Sequence, residues 1–392
     1  MLKLIHEKSE KTVPGGLDLF SILPTSLGIA RVKTVSVGLS NTLTENGPYE
    51  FRLGKNRHYL DLSRSYIKLR CSVRDAITNL PVRDGEYALT QLIGRTIFKQ
   101  MMLYIDGKLV CDSGVNYAYR SFLEAHLLHD KGTKSTTLGL EGYYPEDKIN
   151  VKTSSGFKAR KELVAGGQSA EFMAGISLDL FAQQRYLPSY IDLRLVAYPN
   201  SNAFCIERYG DDVPELKVVI EALSFELAEC ELFDSTLTAL ETMLQTEKHL
   251  IYPITNVQMR TTFIAPGRLN SAEVKLFSSH TPKRVILAMV DSDSYHGSQQ
   301  KSPFNFQHFN LKEVYLTIGG VQIPSKAIEC NFAQNHYTQA YQSFLDGLGF
   351  HRTGTNNGIS LKDYKNGSTF FVFEISPTPD DNTFDLLKMG DT

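Results

Sequence analysis

The chain has 392 residues, enough for two or three domains and a sizeable core. Its 41 Lys plus Arg are balanced by 43 Asp plus Glu, so no chain-wide charge draws it to phosphate or anionic lipid. No apolar run reaches the roughly 18 residues that a membrane-spanning helix needs, and five scattered Cys with no C-x-x-C pair imply buried thiols in a reducing compartment.

The first 16 residues, "MLKLIHEKSEKTVPGG", interrupt their apolar positions with Lys3, His6, Glu7 and Lys8. They read as an N-terminal arm, not a signal peptide. Strands are expected at 65–73, 101–110, 169–181, 190–198 and 216–229, each rich in β-branched and aromatic residues and bounded by Gly, Pro, Asn or Asp. In the first of these, Tyr66, Lys68 and Arg70 alternate with Ile67, Leu69 and Cys71, the pattern of a sheet with one buried face. A helical piece at 118–129 sets Phe122, His126 and His129 at helical spacing, and 131–167 reads as a long exposed loop. A connecting helix is expected over 234–248. Asp234 or Ser235 would cap it, with Leu237, Leu240, Met243 and Leu244 on one face. Beyond it, strands are expected at 257–266, 284–291, 311–320 and 368–376.

The chain repeats itself. "VYLTIGG" (314–320) echoes "MLYIDGK" (102–108), and "YQSFLDGL" (341–348) echoes "YRSFLEAH" (119–126) in the same order. "FFVFEIS" (370–376) then follows "EFMAGIS" (171–177). Ordered matches at a nearly constant offset indicate a duplicated β domain of about 200 residues. A mostly β chain of this kind, with short helices, fits two tandem jelly rolls: a first roll over 17–233, the connecting helix, and a second roll over 249–392.

The search for chemistry assigns no catalytic, cofactor-binding or metal residues. His126-x-x-His129 lacks the Glu and Cys partners of zinc motifs, and Asp291 and Asp293 in "DSDS" lack the Gly and Glu of a calcium loop. No nucleotide-binding or nucleophile-elbow glycine motif is present. "SPFNFQHFN" (302–310) could stack nucleotide bases, but it contains no Lys or Arg to grip phosphate. The expectation is a loop pinned to the sheet by its rings, with at least two of Phe304, Phe306 and Phe309 buried.

The stretch 282–325, "PKRVILAMVDSDSYHGSQQKSPFNFQHFNLKEVYLTIGGVQIPS", resembles the hexon-type double jelly roll major capsid protein of Maverick/Polinton elements and adintovirus-like viruses. So do "LDLFSILPTS" (17–26), "YLDLSRSYIKL" (59–69), "YIDGKLVCDSGVNYAYRSFLEAHL" (104–127) and "NNGISLKDYKNGSTFFVFEISP" (356–377). The resemblance implies a non-enzymatic subunit that trimerises into pseudo-hexagonal capsomers, with 131–167 among the outward towers. Implied partners are further copies, penton and minor capsid proteins and, indirectly, encapsidated double-stranded DNA. The implied place is a virion capsid assembled in the host nucleus or cytoplasm. A two-jelly-roll glycan-processing enzyme, a lectin-like module and a domesticated, non-assembling copy are the alternatives. Because no counterparts of 190–198 and 216–229 follow "FFVFEIS", the second roll is expected to lack its last strands, leaving a slot open or filled by a partner.

Overall fold

The computed structural model describes residues 15–376 except 21, 23–24, 189, 211–213, 247–248, 269–274, 279 and 351–354. In its first half, β1 (Ile29–Gly38), β2 (Tyr49–Leu53), β3 (Tyr59–Asp75) and β4 (Glu86–Leu89) lead to the single turn α1 (Ile93–Thr96). The hairpin of β5 (Phe98–Ile105) and β6 (Lys108–Asp112) follows, then α2 (Tyr117–Leu128), α3 (Lys131–Ser135) and α4 (Ser155–Glu162). This half closes with β7 (Ala170–Gly175), β8 (Leu187–Pro188), β9 (Leu193–Pro199), α5 (Asn202–Cys205), β10 (Ile206–Tyr209) and β11 (Leu216–Leu232). After α6 (Asp234–Gln245), the second half holds β12 (Arg284–Ala288), α7 (Ser292–His296), β13 (Glu313–Ile318), β14 (Val321–Glu329), α8 (Thr338–Gly347), α9 (Leu361–Lys365) and β15 (Phe370–Glu374).

Two antiparallel sheets face each other in the first half, ordered β1-β11-β3-β7 and β2-β9-β5-β6. Alternation along β3 sends every second side chain inward, as the sequence dictates: Ile67, Leu69, Cys71 and Val73 are at most 1% exposed, while Tyr66 and Arg70 face water. They meet Phe51 of β2, Met101 and Leu103 of β5, and Leu193 and Leu195 of β9 in one apolar core.

The repeat is visible in three dimensions. β3 pairs with β7 as β12 pairs with β15, and the hairpin β5–β6 corresponds to β13–β14. Both hairpins turn through two residues of positive φ: Asp106 (47°) and Gly107 (76°) in one, Gly319 (56°) and Gly320 (82°) in the other. That is the geometry whose twist matches paired strands, and it explains why "IDG" and "IGG" recur. Helix α2 corresponds to α8, with Phe122 and Phe344 both buried. Among the described residues the halves differ in strand pairing. β3 also holds β11, and β5 also holds β9, whereas among the described residues β12 pairs only with β15 and β13 only with β14.

Several elements differ from expectation. Residues 131–167 are not an exposed loop: they form α3, α4 and 3-10 turns that bury Leu138, Tyr143, Phe157, Arg160 and Val164. The expected strand 257–266 does not form. Its apolar pattern suits a strand, but strands exist only in pairs, and among the described residues none lies beside it. Strand 169–181 ends at Gly175, after which Leu178, Leu180 and Phe181 are buried through a 3-10 turn. The N-cap of α6 is Phe233, without a side-chain cap, and α6 has no buried residue. The tail past residue 376 lies outside the described residues.

Candidate functional site

The seam between the halves gathers most of the features singled out in the sequence. Helix α2 turns Ala118, Phe122 and Ala125, spaced by four and three, toward one face. That face belongs to the second apolar core, together with Phe304, Phe306, Phe344, Phe370 and Phe371. Phe304 stacks on Phe122 with ring centroids 4.0 Å apart and planes 4° from parallel, and Phe306 meets Phe370 at 4.8 Å. The loop is pinned by its backbone as well: Phe306 N–H donates to Gly367 O (2.9 Å), and Thr369 N–H to Phe306 O (3.0 Å). Phe304 and Phe306 are 3% and 2% exposed, so two of the three rings are structural as expected, while Phe309 is 52% exposed on a turn.

Polar groups cross the same seam. The His126 ring nitrogens meet Tyr143 OH (2.8 Å) and Ser368 Oγ (3.2 Å), and Lys134 Nζ donates to Asn357 O (2.6 Å). The structure therefore does not bring His126 and His129 together as ligands. Among the described residues no cluster of three or more His, Cys, Asp or Glu could hold a metal ion. Asp291 caps α7, and both Asp291 and Asp293 pair with Lys301 at 3.0 and 2.9 Å.

Burial, aided by the nearby Lys134, holds the His126 pKa well below its ordinary 6.5. Burial likewise pulls Lys134 from 10.5 down to about 7. Both shifts favour the unprotonated form in the folded protein. His126 thus contributes stability above its unfolded value of 6.5 that is lost as pH falls toward its lowered folded value. For Lys134, stability grows as pH rises from about 7 to 10.5. Urea midpoints at about pH 5.5, 7 and 9 are expected to rise in that order. His126→Gln should flatten the lower step and Lys134→Met the upper one; a series that is flat in the parent protein contradicts this.

Sequence reasoning missed the buried ion pairs of the first half. Arg160, 1% exposed, donates to Glu146, to Leu89 O and, at 3.4 Å, to Glu207. Arg95 binds Glu141 in a bidentate pair, with Ser177 Oγ at 3.1 Å, and Arg120 pairs with Asp179 at 2.7 Å. Each of these carboxylates is engaged by a guanidinium; Arg95–Glu141 ties 131–167 to α1, and Arg160 ties it to β4 and β10. Their partners lie tens of residues away, and no local signal marks them. All five thiols are buried and unpaired, with burial pushing Cys71 up to about 12 and Cys330 to about 11.

Large apolar side chains are uncovered in several segments, among them the stretch before β1 and that around 251–263. Before β1, Leu17, Leu19, Phe20, Ile22 and Leu27 are 66–95% exposed, and Ile251 and Phe263 are 72% and 70% exposed. The cluster in "LDLFSIL" was the available sequence signal for the first. Among the described residues no helix is long and apolar enough to cross a membrane.

No protein-family model matches the chain. The uncharacterized protein F54H12.2 of Caenorhabditis elegans is 34% identical over 363 residues, covering 90% of this chain and 86% of that one. A chain of the 3.5 Å cryo-EM structure of the Sputnik virophage matches with a TM-score of 0.55 at 13% identity, over 98% of this chain and 85% of its own length. A chain of the quasi-atomic model of the PBCV-1 virus capsid matches with a TM-score of 0.50 at 9% identity, over 95% and 85%. The fold is a mostly β double jelly roll with short helices, of the kind found in virus capsids, and the likeness spans nearly the whole chain.

Proposed function

We propose that this chain, which belongs to the family of the uncharacterized protein F54H12.2 of Caenorhabditis elegans, is a major capsid protein whose trimers form pseudo-hexagonal capsomers. The observation that carries this reading is the duplication: each half builds the same strand, hairpin, helix and returning strand. Two similar units per subunit give a trimer six similar sides, so one protein can tile a lattice by lateral contacts. The proposed division is an arm over 1–16, rolls over 17–233 and 249–392, and a connecting helix over 234–248. The resemblance to Maverick/Polinton and adintovirus proteins favours an icosahedral DNA virus or virus-like transposon as the source. Penton and minor capsid proteins would then be its partners, double-stranded DNA its enclosed cargo, and the virion its place. The role is structural, in keeping with buried carboxylates that are held in ion pairs.

The test is mass measurement in solution with negative-stain microscopy of the expressed chain. Trimers and hexagonal sheets or closed particles are the expected result. A stable monomer at high concentration, with no lattice in any preparation, would overturn the proposal.

A further inference from the structure

We propose that the corner where α2 and α3 meet the second half is an acid-operated latch, in which protonation of His126 releases residues 126–136 from the second half while the sheets of the first half stay folded. The latch is built from contacts between residues 223 to 242 apart in sequence. His126 Nδ1 meets Tyr143 OH (2.8 Å), and its Nε2 meets Ser368 Oγ (3.2 Å). The ring lies over Phe122, with centroids 5.1 Å apart, and against Phe370 at 5.9 Å. On α3, Lys134 is 5% exposed and donates to Asn357 O (2.6 Å), while Asn357 Nδ2 donates back to Leu127 O (3.4 Å). Gly358, at φ 74°, lets the backbone pass so close to Lys131 that a Cβ would stand 2.9 Å from that side chain.

A neutral imidazole suits both hydroxyls, donating to one and accepting from the other. The imidazolium must donate to both, and it brings a charge that these contacts do not offset. From the second half they are a hydroxyl, a backbone carbonyl and a ring, all uncharged. From the first half Tyr143 offers a hydroxyl, and Glu146 near it is committed to Arg160 and Ser154. Asp130 is exposed and caps α3 by accepting from Thr133 N–H (2.7 Å), and exposed Lys131 follows it. His129, the C-cap of α2, adds another basic group. The charge that His126 feels is that of Lys134, which opposes a second proton.

As the pH falls, the two groups act in sequence. The stability that neutral Lys134 contributes is lost between 10.5 and about 7, so the corner carries a positive charge by the time His126 begins to titrate. The share of His126 is lost from 6.5 downward, as a second charge is forced in beside the first. Opening hands both charges to water and breaks no strand pairing. The latch needs only the folded chain, so it stands or falls separately from the capsid reading.

Amide hydrogen exchange of the full chain at pH 7.5 and 5.5, corrected for the chemical rate, tests it. Peptides covering 126–136 and 355–360 are expected to exchange about tenfold or more faster at the lower pH, while those covering β3 and β11 change by less than about twofold. His126→Gln cannot take up the proton and should leave only the few-fold rise that Lys134 supplies. Ser368→Asp sets a carboxylate against Nε2 and should hold the imidazolium in place, so that the rise vanishes or reverses, a response that a merely structural His126 would not give. Three results would overturn the proposal: exchange in the parent that is flat with pH, β3 and β11 loosening as much as the latch, or the parental rise persisting in either variant. Should one variant fail to fold, the other still decides.

Discussion

Phe306→Ala is expected to lower the stability of the chain by about 3 to 5 kcal/mol, read from the shift of its denaturation midpoint. The ring is 2% exposed and packs on Phe370 and near Tyr119 and Phe122, so truncation opens a cavity among other rings that cannot collapse without breaking their own stacking. Phe309→Ala, at a position 52% exposed, serves as the control and should change stability by less than about 1 kcal/mol. Binding to single-stranded DNA should be the same for both variants and the parent. If Phe306→Ala leaves the midpoint in place and weakens DNA binding, the loop is a stacking platform and the structural reading is wrong.

Arg160→Met is the other substitution with a large expected effect, about 3 to 5 kcal/mol at neutral pH. Met preserves much of the volume but leaves Glu146 and Glu207 buried without the guanidinium that both face, and it leaves Leu89 O without its donor. Burial already raises the Glu146 pKa, with Arg160 opposing that rise, so removing Arg160 increases the cost of its ionised form. The triple variant Arg160→Met/Glu146→Gln/Glu207→Gln should recover much of the loss. Equal destabilisation in the single and triple variants would show that packing of the aliphatic stem, and not charge, is what matters at this position.

These two sites also mark what could and could not be read from the sequence. The aromatic loop was legible because its composition is local: three Phe within six residues, with no Lys or Arg inside 302–310, already favour burial over phosphate contact. The hairpin turns were legible because positive φ at two successive positions selects Gly or Asp-Gly wherever the strand repeats. Residues 131–167 were misread because their burial runs through Arg160, Lys134 and Glu141, whose charges look like solvated surface until distant partners are known. Residues 257–266 show the converse failure. Their pattern favours a strand, yet strand formation is decided by a neighbour, and that information is not contained in the segment itself.

The docking of α2 into the second core has a consequence for how the chain is made. Roughly 180 residues separate Phe122 from Phe304, the ring that covers it. At ribosomal speeds of about 5–20 residues per second, the second arrives on the order of ten to forty seconds after the first. Throughout that interval the nascent first half carries an uncovered aromatic helix face, wide enough to bind a holdase chaperone or another nascent chain. Production of soluble protein should therefore depend on translation rate and chaperone supply more than the finished, covered structure suggests.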